Sequence, residues 1–323
     1  MDTTPRLCPY VGLTPFTEDD AEYFFGREDE TRRIASKLYA SRLTLLYGAS
    51  GVGKSSVLRA GVLKSLRDDN VATFYFNLWQ SDPVAMLRES IGGQIPILLL
   101  AQGQIDGNTA AQFAERFIAG RDDVDNEITR FADRLRAAPS LGDFLKLAAE
   151  RVGALMIVLD QFEEYFLYHP RDDASNSFAL EFAQAINRDD VPASFLIGIR
   201  EDAYTKLDRF KGRIPNLFGN YTHLAHLNTA AARAAIEKPL EKFNELQAKD
   251  GAAVSIEPEL VRMVLQQVRT GQVKIGAAGS GVVTSGRTDS EAAIETPFLQ
   301  LVMTRLWEEE TRAGSRTMKL ETL

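Results

Sequence analysis

The chain has 323 residues, 45% hydrophobic and 25% charged, which is enough apolar material for one large domain or a domain with a smaller module. Its net charge of −8 argues against a dedicated nucleic-acid binder, and a single cysteine, Cys8, excludes an internal disulfide and fits a reducing compartment. No apolar run approaches the roughly 18 residues that cross a bilayer, and the N-terminus lacks the basic and apolar regions of a signal peptide, so a cytoplasmic protein with no membrane contact is expected.

The first predicted element is a helix entered through Tyr23-Phe24-Phe25-Gly26-Arg27-Glu28, with Glu28, Asp29 and Glu30 in its first turn, where negative charge suits the helix dipole. By itself this is a helix start; a flat apolar pocket for a base is the functional alternative. The apolar run Leu43–Tyr47 then reads as a strand. It passes directly into Gly48-Ala49-Ser50-Gly51-Val52-Gly53-Lys54-Ser55, followed by Ser56. This is the G-x-x-x-x-G-K-[ST] phosphate loop in its strand–loop–helix setting. Gly48, Gly51 and Gly53 allow the tight turn that aims successive N–H groups at phosphate oxygens, and the helix starting near Lys54 adds its positive end. Lys54 reaches the β- and γ-phosphates, and the Ser55 hydroxyl is a Mg²⁺ ligand.

Beyond the loop, Leu58, Val62 and Leu66 recur at helical spacing until Asp68-Asp69-Asn70, and Val71–Phe76 reads as an aromatic-rich strand. The stretch from Asp82 to about Gly153 is mainly helical, with an acidic middle at residues 121–125. Leu155–Leu159 is a buried parallel strand ending in Asp160-Gln161-Phe162-Glu163-Glu164. An acid at that strand tip can hold Mg²⁺ through water, which suits Asp160, and a nearby glutamate can activate the attacking water, Glu163 first and Glu164 as the alternative. Phe178, Phe182 and Ile186 mark a helix face, Phe195–Ile199 another buried strand, and Tyr221–Leu224 an edge strand. Arg200, at the tip of the Phe195 strand, either touches the γ-phosphate or pairs with Glu201 or Asp202. Asn187-Arg188-Asp189-Asp190 only imitates a guanine-reading motif, because it follows a helix rather than a buried strand. His223 and His226 lack a third ligand, so metal binding beyond Mg²⁺ is not expected.

From about Asn228 the chain turns helical. Thr229 caps an Ala-rich helix expected to stop at Pro239, Pro258 opens a helix with Leu260, Val261, Val264, Leu265 and Val268 on one face, and a last helix covers about 297–310. Five glycines in 271–286 read as a loop. Strands alternating with helices imply a parallel sheet covered on both faces.

Together these motifs resemble the STAND class of P-loop NTPases (signal-transducing ATPases with numerous domains), within the AAA+ group, and most closely its bacterial novel-STAND subgroup. The matching stretches are Cys8–Phe16, Phe24–Glu28, Gly48–Ser56, Leu159–Glu164, Ile199–Asp202, and Glu295–Leu301 followed by Leu306-Trp307. The resemblance implies an α/β fold: a five-stranded parallel sheet with the Arg200 strand between the phosphate-loop and Asp160 strands, then a helical lid. It divides the chain into a core at 1–227 and a lid at 228–323. It also implies that Pro297 packs on adenine and that Gly26-Arg27 closes the other side of the base. A slow ATPase with ATP/ADP and Mg²⁺ follows, acting as a signalling switch in bacterial defence or stress signalling that self-associates on ATP binding. Its effector and sensor domains are expected in missing sequence or on other polypeptides, since no winged-helix module follows Leu323 and no effector domain precedes Cys8. A nucleotide clasp without turnover and a small-molecule kinase are the alternatives; the long lid and the Asp160–Glu164 cluster speak against the kinase.

Overall fold

The computed structural model describes residues 8–120, 125–171, 177–247, 253–270 and 293–323. The Gly-rich stretch 271–286 and most of the acidic stretch 121–125 lie outside them. The chain divides into two compact units, one comprising Arg33–Gly48 and Val62–His223, the other Met1–Arg32, Ala49–Gly61 and Leu224–Leu323.

The first unit is built on a parallel sheet of order β2-β3-β4-β1-β5, with β1 Leu43–Gly48, β2 Ala72–Phe76, β3 Leu155–Leu159, β4 Ala193–Arg200 and β5 Tyr221–His223. The strand order is the one the resemblance implies, with β4 between β1 and β3 and β5 at an edge. β3 is buried at every position, as a strand covered on both faces must be. Register matters for function: Gly48 of β1 lies beside Arg200 of β4, and Leu159 of β3 beside Ile197 of β4, so three strand tips end along one edge of the sheet. Between β2 and β3 run α4 Pro83–Ala101, α5 Gly107–Ala119, α6 Glu127–Arg136 and α7 Leu141–Val152. Side chains start all four: Asp82 accepts from the Val84 and Ala85 amides, Asp106 from Thr109, Asn126 from Ile128 and Thr129, and Ser140 from Asp143. α8 Glu163–Tyr168 and α9 Phe178–Asn187 follow β3 and supply Tyr165, Phe178 and Phe182 to an aromatic cluster around Trp79 and Phe162.

α4 corrects the expectation that nothing here resembles a membrane span. Its 19 residues are long and apolar enough by composition. One face of it, with Leu87, Ile91, Ile95 and Leu99, is buried in the core of this unit, as in the core helix of a globular fold, while Ile97 and Leu100 are exposed.

The second unit holds α10 Thr229–Gln247, α11 Pro258–Gln267 and α12 Thr296–Arg312 around a core that includes Ile236, Leu240, Val261, Val264, Leu265, Met303 and Trp307. A short parallel pair, β6 Ser255–Ile256 with β7 Thr317–Met318, ties its C-terminal end. Two expectations fail at α10. Asn228, not Thr229, supplies the cap, accepting from the Ala231 amide at 2.8 Å. The helix also continues through Pro239 instead of stopping there. Proline removes a helix bond and pushes on the preceding carbonyls; here the buried Tyr10 hydroxyl donates to the Ile236 carbonyl at 2.9 Å and supplies a donor beside the break. Burial pushes the Tyr10 phenol above its ordinary pKa, so it remains a donor.

Candidate nucleotide site

The phosphate loop begins at the last residue of β1 and ends in α2 Lys54–Ser56. Gly51 and Gly53 have φ of +80° and +92°, a conformation side chains resist, and Gly53 caps the helix in the left-handed region. Lys54 folds back so that Nζ donates to the Ala49 carbonyl at 2.9 Å, closing the loop on itself. Ser50 is exposed, Ala49 and Ser55 are half-buried, and Ser56 Oγ accepts from the Phe16 amide at 3.2 Å. The helix then widens to a π-helical stretch, Val57–Leu63, before α3 Lys64–Asp68. Gly61 sits in that stretch because a Cβ there would lie 2.4 Å from the Thr31 hydroxyl of α1, Glu28–Ala40.

Two predicted base-contacting elements lie in the same compact unit as the loop. Pro297, at the start of α12, puts its Cγ 3.0 Å from where a Gly51 Cβ would be, so it rests on the loop itself. Gly26, at φ +86°, is pressed on α10, with a would-be Cβ 2.4 Å from the Ala231 carbonyl. Arg27 is buried. Its Nη2 donates to the carbonyls of Val52 at 2.9 Å and Ala225 at 2.8 Å, and its Nη1 to Glu30 Oε1 at 2.9 Å. Burial pulls its pKa below the ordinary value, opposed by Glu30.

On the sheet unit, the strand tips collect the predicted acids and arginine. Asp160 is 1% exposed; its amide donates to the Phe76 carbonyl, its carbonyl accepts from Trp79 Nε1 at 2.8 Å, and its Oδ2 accepts from the Tyr75 hydroxyl at 2.8 Å. Its Oδ1 is buried and makes no hydrogen bond among the described residues. An orphaned buried carboxylate oxygen is costly and suits a cation or its water shell. Glu163 opens α8 and its Oε2 accepts from the Arg200 amide at 3.1 Å; Glu164 lies one residue on, half-buried. The Arg200 side chain forks onto Asp202, Nε and Nη2 each 3.0 Å from a carboxylate oxygen. Of the γ-phosphate and the neighbouring acids, it is Asp202 that the side chain pairs with in the conformation seen.

Tyr75 and Trp79 are not singled out by the motifs, whereas Asp202 is named there as a possible partner of Arg200. A tyrosine alternating outward on β2 carries no chemical signature until β2 is known to neighbour β3. Arg188 and Asp190 are tied together, with Arg188 also bonded to Asp143, and His223 stacks on Tyr47 while His226 Nδ1 stands 3.8 Å from Glu295. Among the described residues no cluster of three or more metal-ligating side chains occurs.

A phosphate loop leaving the first strand of a 2-3-4-1-5 parallel sheet, with a helical lid later in the chain, defines a P-loop NTPase of the AAA+ group. The family model of novel STAND NTPase 1 matches residues 9–323, and the chain belongs to that family. Among solved structures, the ORC2 protein of Aeropyrum pernix in its ADP form is similar, with TM-score 0.50 and 15% identity over 91% of this chain and 65% of that one. The chain therefore spans about two-thirds of the length of ORC2. A Walker-type ATPase of Pyrococcus abyssi (TM-score 0.49, 16% identity, 94% and 71% covered) and domain III of the Thermotoga maritima replication initiation protein DnaA (0.44, 13%, 97% and 95%) are also similar. At 15% identity the likeness to ORC2 speaks for the fold alone. No protein of curated function matches the sequence.

Proposed function

We propose that this NTPase is an ATP/ADP-operated switch in the cytoplasm that hydrolyses ATP slowly and changes its self-association with the nucleotide held. Effector and sensor parts would lie on further sequence or other polypeptides, with bacterial defence or stress signalling as the setting. The observation that carries the reading is the loop itself: two left-handed glycines, Lys54 drawn across it, and a helix start behind it. In this reading the amides of residues 48–56 and Lys54 hold the phosphates, and Pro297 and the Gly26-Arg27 segment border the base. Ser55, by its motif, and Asp160, by its orphaned oxygen, are the residues that would hold Mg²⁺, which neutralises phosphate charge when bound. Glu163, or Glu164 beside it, would take the proton of the attacking water, and Arg200 would respond to the γ-phosphate.

A second reading, a nucleotide clasp with negligible turnover, is favoured by the engagement of Glu163 with the Arg200 amide, which occupies the would-be base. Calorimetric titration with ATP and steady-state phosphate release separate the two. Lys54→Ala should abolish ATP binding, and unchanged affinity would sink the phosphate-loop assignment. Glu163→Gln should bind ATP but turn over about 10²-fold more slowly, the scale of a lost general base. A slow Glu164→Gln beside a normal Glu163→Gln moves the base by one residue, and turnover unaffected in both leaves the clasp.

A further inference from the structure

Arg27 is placed to do something other than border a base. It is 4% exposed, and one nitrogen, Nη2, spends both of its hydrogens on backbone carbonyls of two different segments. Val52 lies inside the phosphate loop, immediately before the left-handed Gly53. Ala225 lies in the approach to α10. Nη1 is anchored by Glu30 in the first turn of α1. The preceding Gly26 is packed on the Ala231 carbonyl in α10 with no room for even a methyl group, so the backbone that carries the arginine is seated on α10.

The peptide plane makes this arrangement consequential. In a trans peptide the carbonyl and the following N–H point in opposite directions. Holding the Val52 carbonyl on one side therefore aims the Gly53 N–H to the other, away from the guanidinium. An anion accepting from that N–H polarises the peptide and makes the Val52 carbonyl a better acceptor for the guanidinium, since bonds in a chain strengthen one another. The same nitrogen passes the change to Ala225.

We propose that Arg27 couples the phosphate loop to the lid: through its paired bonds to the Val52 and Ala225 carbonyls, occupation of the loop by a nucleoside diphosphate orders the approach to α10. This rests on the nucleotide-binding reading above. Coupling of this kind is reciprocal, so ordering of the lid approach also tightens the hold on the diphosphate.

The test compares wild type, Arg27→Met, Arg27→Lys and Glu30→Gln by calorimetric titration with ADP and by hydrogen–deuterium exchange with and without saturating ADP. Arg27→Met should bind ADP roughly tenfold more weakly, the scale of a lost hydrogen bond to a charged group. At saturation it should keep ADP-dependent protection in the loop at 48–56 and lose it at 225–231. Glu30→Gln, which leaves both carbonyl bonds in place, should retain protection in both segments. Full protection of 225–231 in saturated Arg27→Met overturns the proposal, and so does equal loss in Glu30→Gln. Should Arg27→Met not fold, Arg27→Lys, with one nitrogen in place of the fork, is judged by the same two segments. Wild type that fails to bind ADP would instead refute the nucleotide-binding reading.

Discussion

Arg200 forks onto Asp202 with the geometry it would offer a phosphate, two nitrogens to two oxygens. Both side chains are about half exposed or more, 45% and 67%, so the pair is screened and is worth at most about 1 kcal/mol. A γ-phosphate dianion would displace the carboxylate, but would first have to compete with it. If Arg200 senses the γ-phosphate, Asp202→Asn should tighten ATP binding by up to about fivefold, the equivalent of that pair, and leave ADP binding unchanged. Arg200→Ala should erase the difference between the two nucleotides. Competition titration with ATP and ADP reads both, and equal changes for the two ligands would assign Arg200 a structural role. Asp160 shows the opposite situation. Its position at a strand tip is visible in the chain, but Tyr75 and Trp79, which occupy one oxygen and the carbonyl and leave Oδ1 without a hydrogen bond among the described residues, are placed there only by the fold.

Among the elements, α10 is the one that local rules misjudge. Pro239 should end it, since proline inside a helix costs about 3 kcal/mol, and the helix nonetheless runs eight residues further, to Gln247. Ile236, Pro239 and Leu240 are buried on one side of it, and the hydroxyl of Tyr10 from the N-terminal segment serves the Ile236 carbonyl. Tyr10→Phe keeps the ring and removes only that donor, so it should lower stability by about 1 kcal/mol, within the usual range for one buried hydrogen bond. Urea unfolding with and without ADP checks this; a midpoint identical to wild type would mean the hydroxyl contributes nothing to carrying the helix past its proline. The helix after the phosphate loop holds a second surprise. Its Leu58, Val62 and Leu66 spacing announces an ordinary helix, while residues 57–63 are π-helical and Gly61 meets Thr31 across a gap too small for a methyl group. Such widened turns often accompany functional sites.

At the scale of the whole molecule, the phosphate loop groups with the N-terminal segment and the lid helices in one compact unit, although its chain leaves the sheet at Gly48. A ligand that binds only the native state raises the melting temperature by mass action, about 2.7 kcal/mol at a hundredfold excess over Kd. ADP with Mg²⁺ should therefore raise the melting temperature by several degrees, on the scale expected for a chain of this size. Pro297→Asp should largely abolish that shift, because a carboxylate introduced beside Gly51 would compete with, and repel, the like-charged diphosphate proposed to bind at the loop. A full ADP shift in Pro297→Asp, measured beside Lys54→Ala as the unliganded reference, would separate Pro297 from the nucleotide.

What the chain determines by itself is whatever contiguous residues can decide. Apolar runs long enough for a buried strand, glycines where the backbone must turn left-handed, a lysine and serine at fixed offsets, and acids just past a strand end are local properties, which is why the phosphate loop, the strands and the sheet class were legible. The family motifs extended that reading to the strand order and the lid. The remainder depends on partners distant in sequence: Arg27 reaching Val52 and Ala225, Tyr10 reaching the Ile236 carbonyl beside Pro239, Tyr75 and Trp79 holding Asp160. A guanidinium or a hydroxyl has no assigned role until the fold brings a carbonyl or a carboxylate to it. Only the tertiary structure decides which of many possible partners that is, since the cost of an unpaired buried polar group can be met by any suitably placed acceptor.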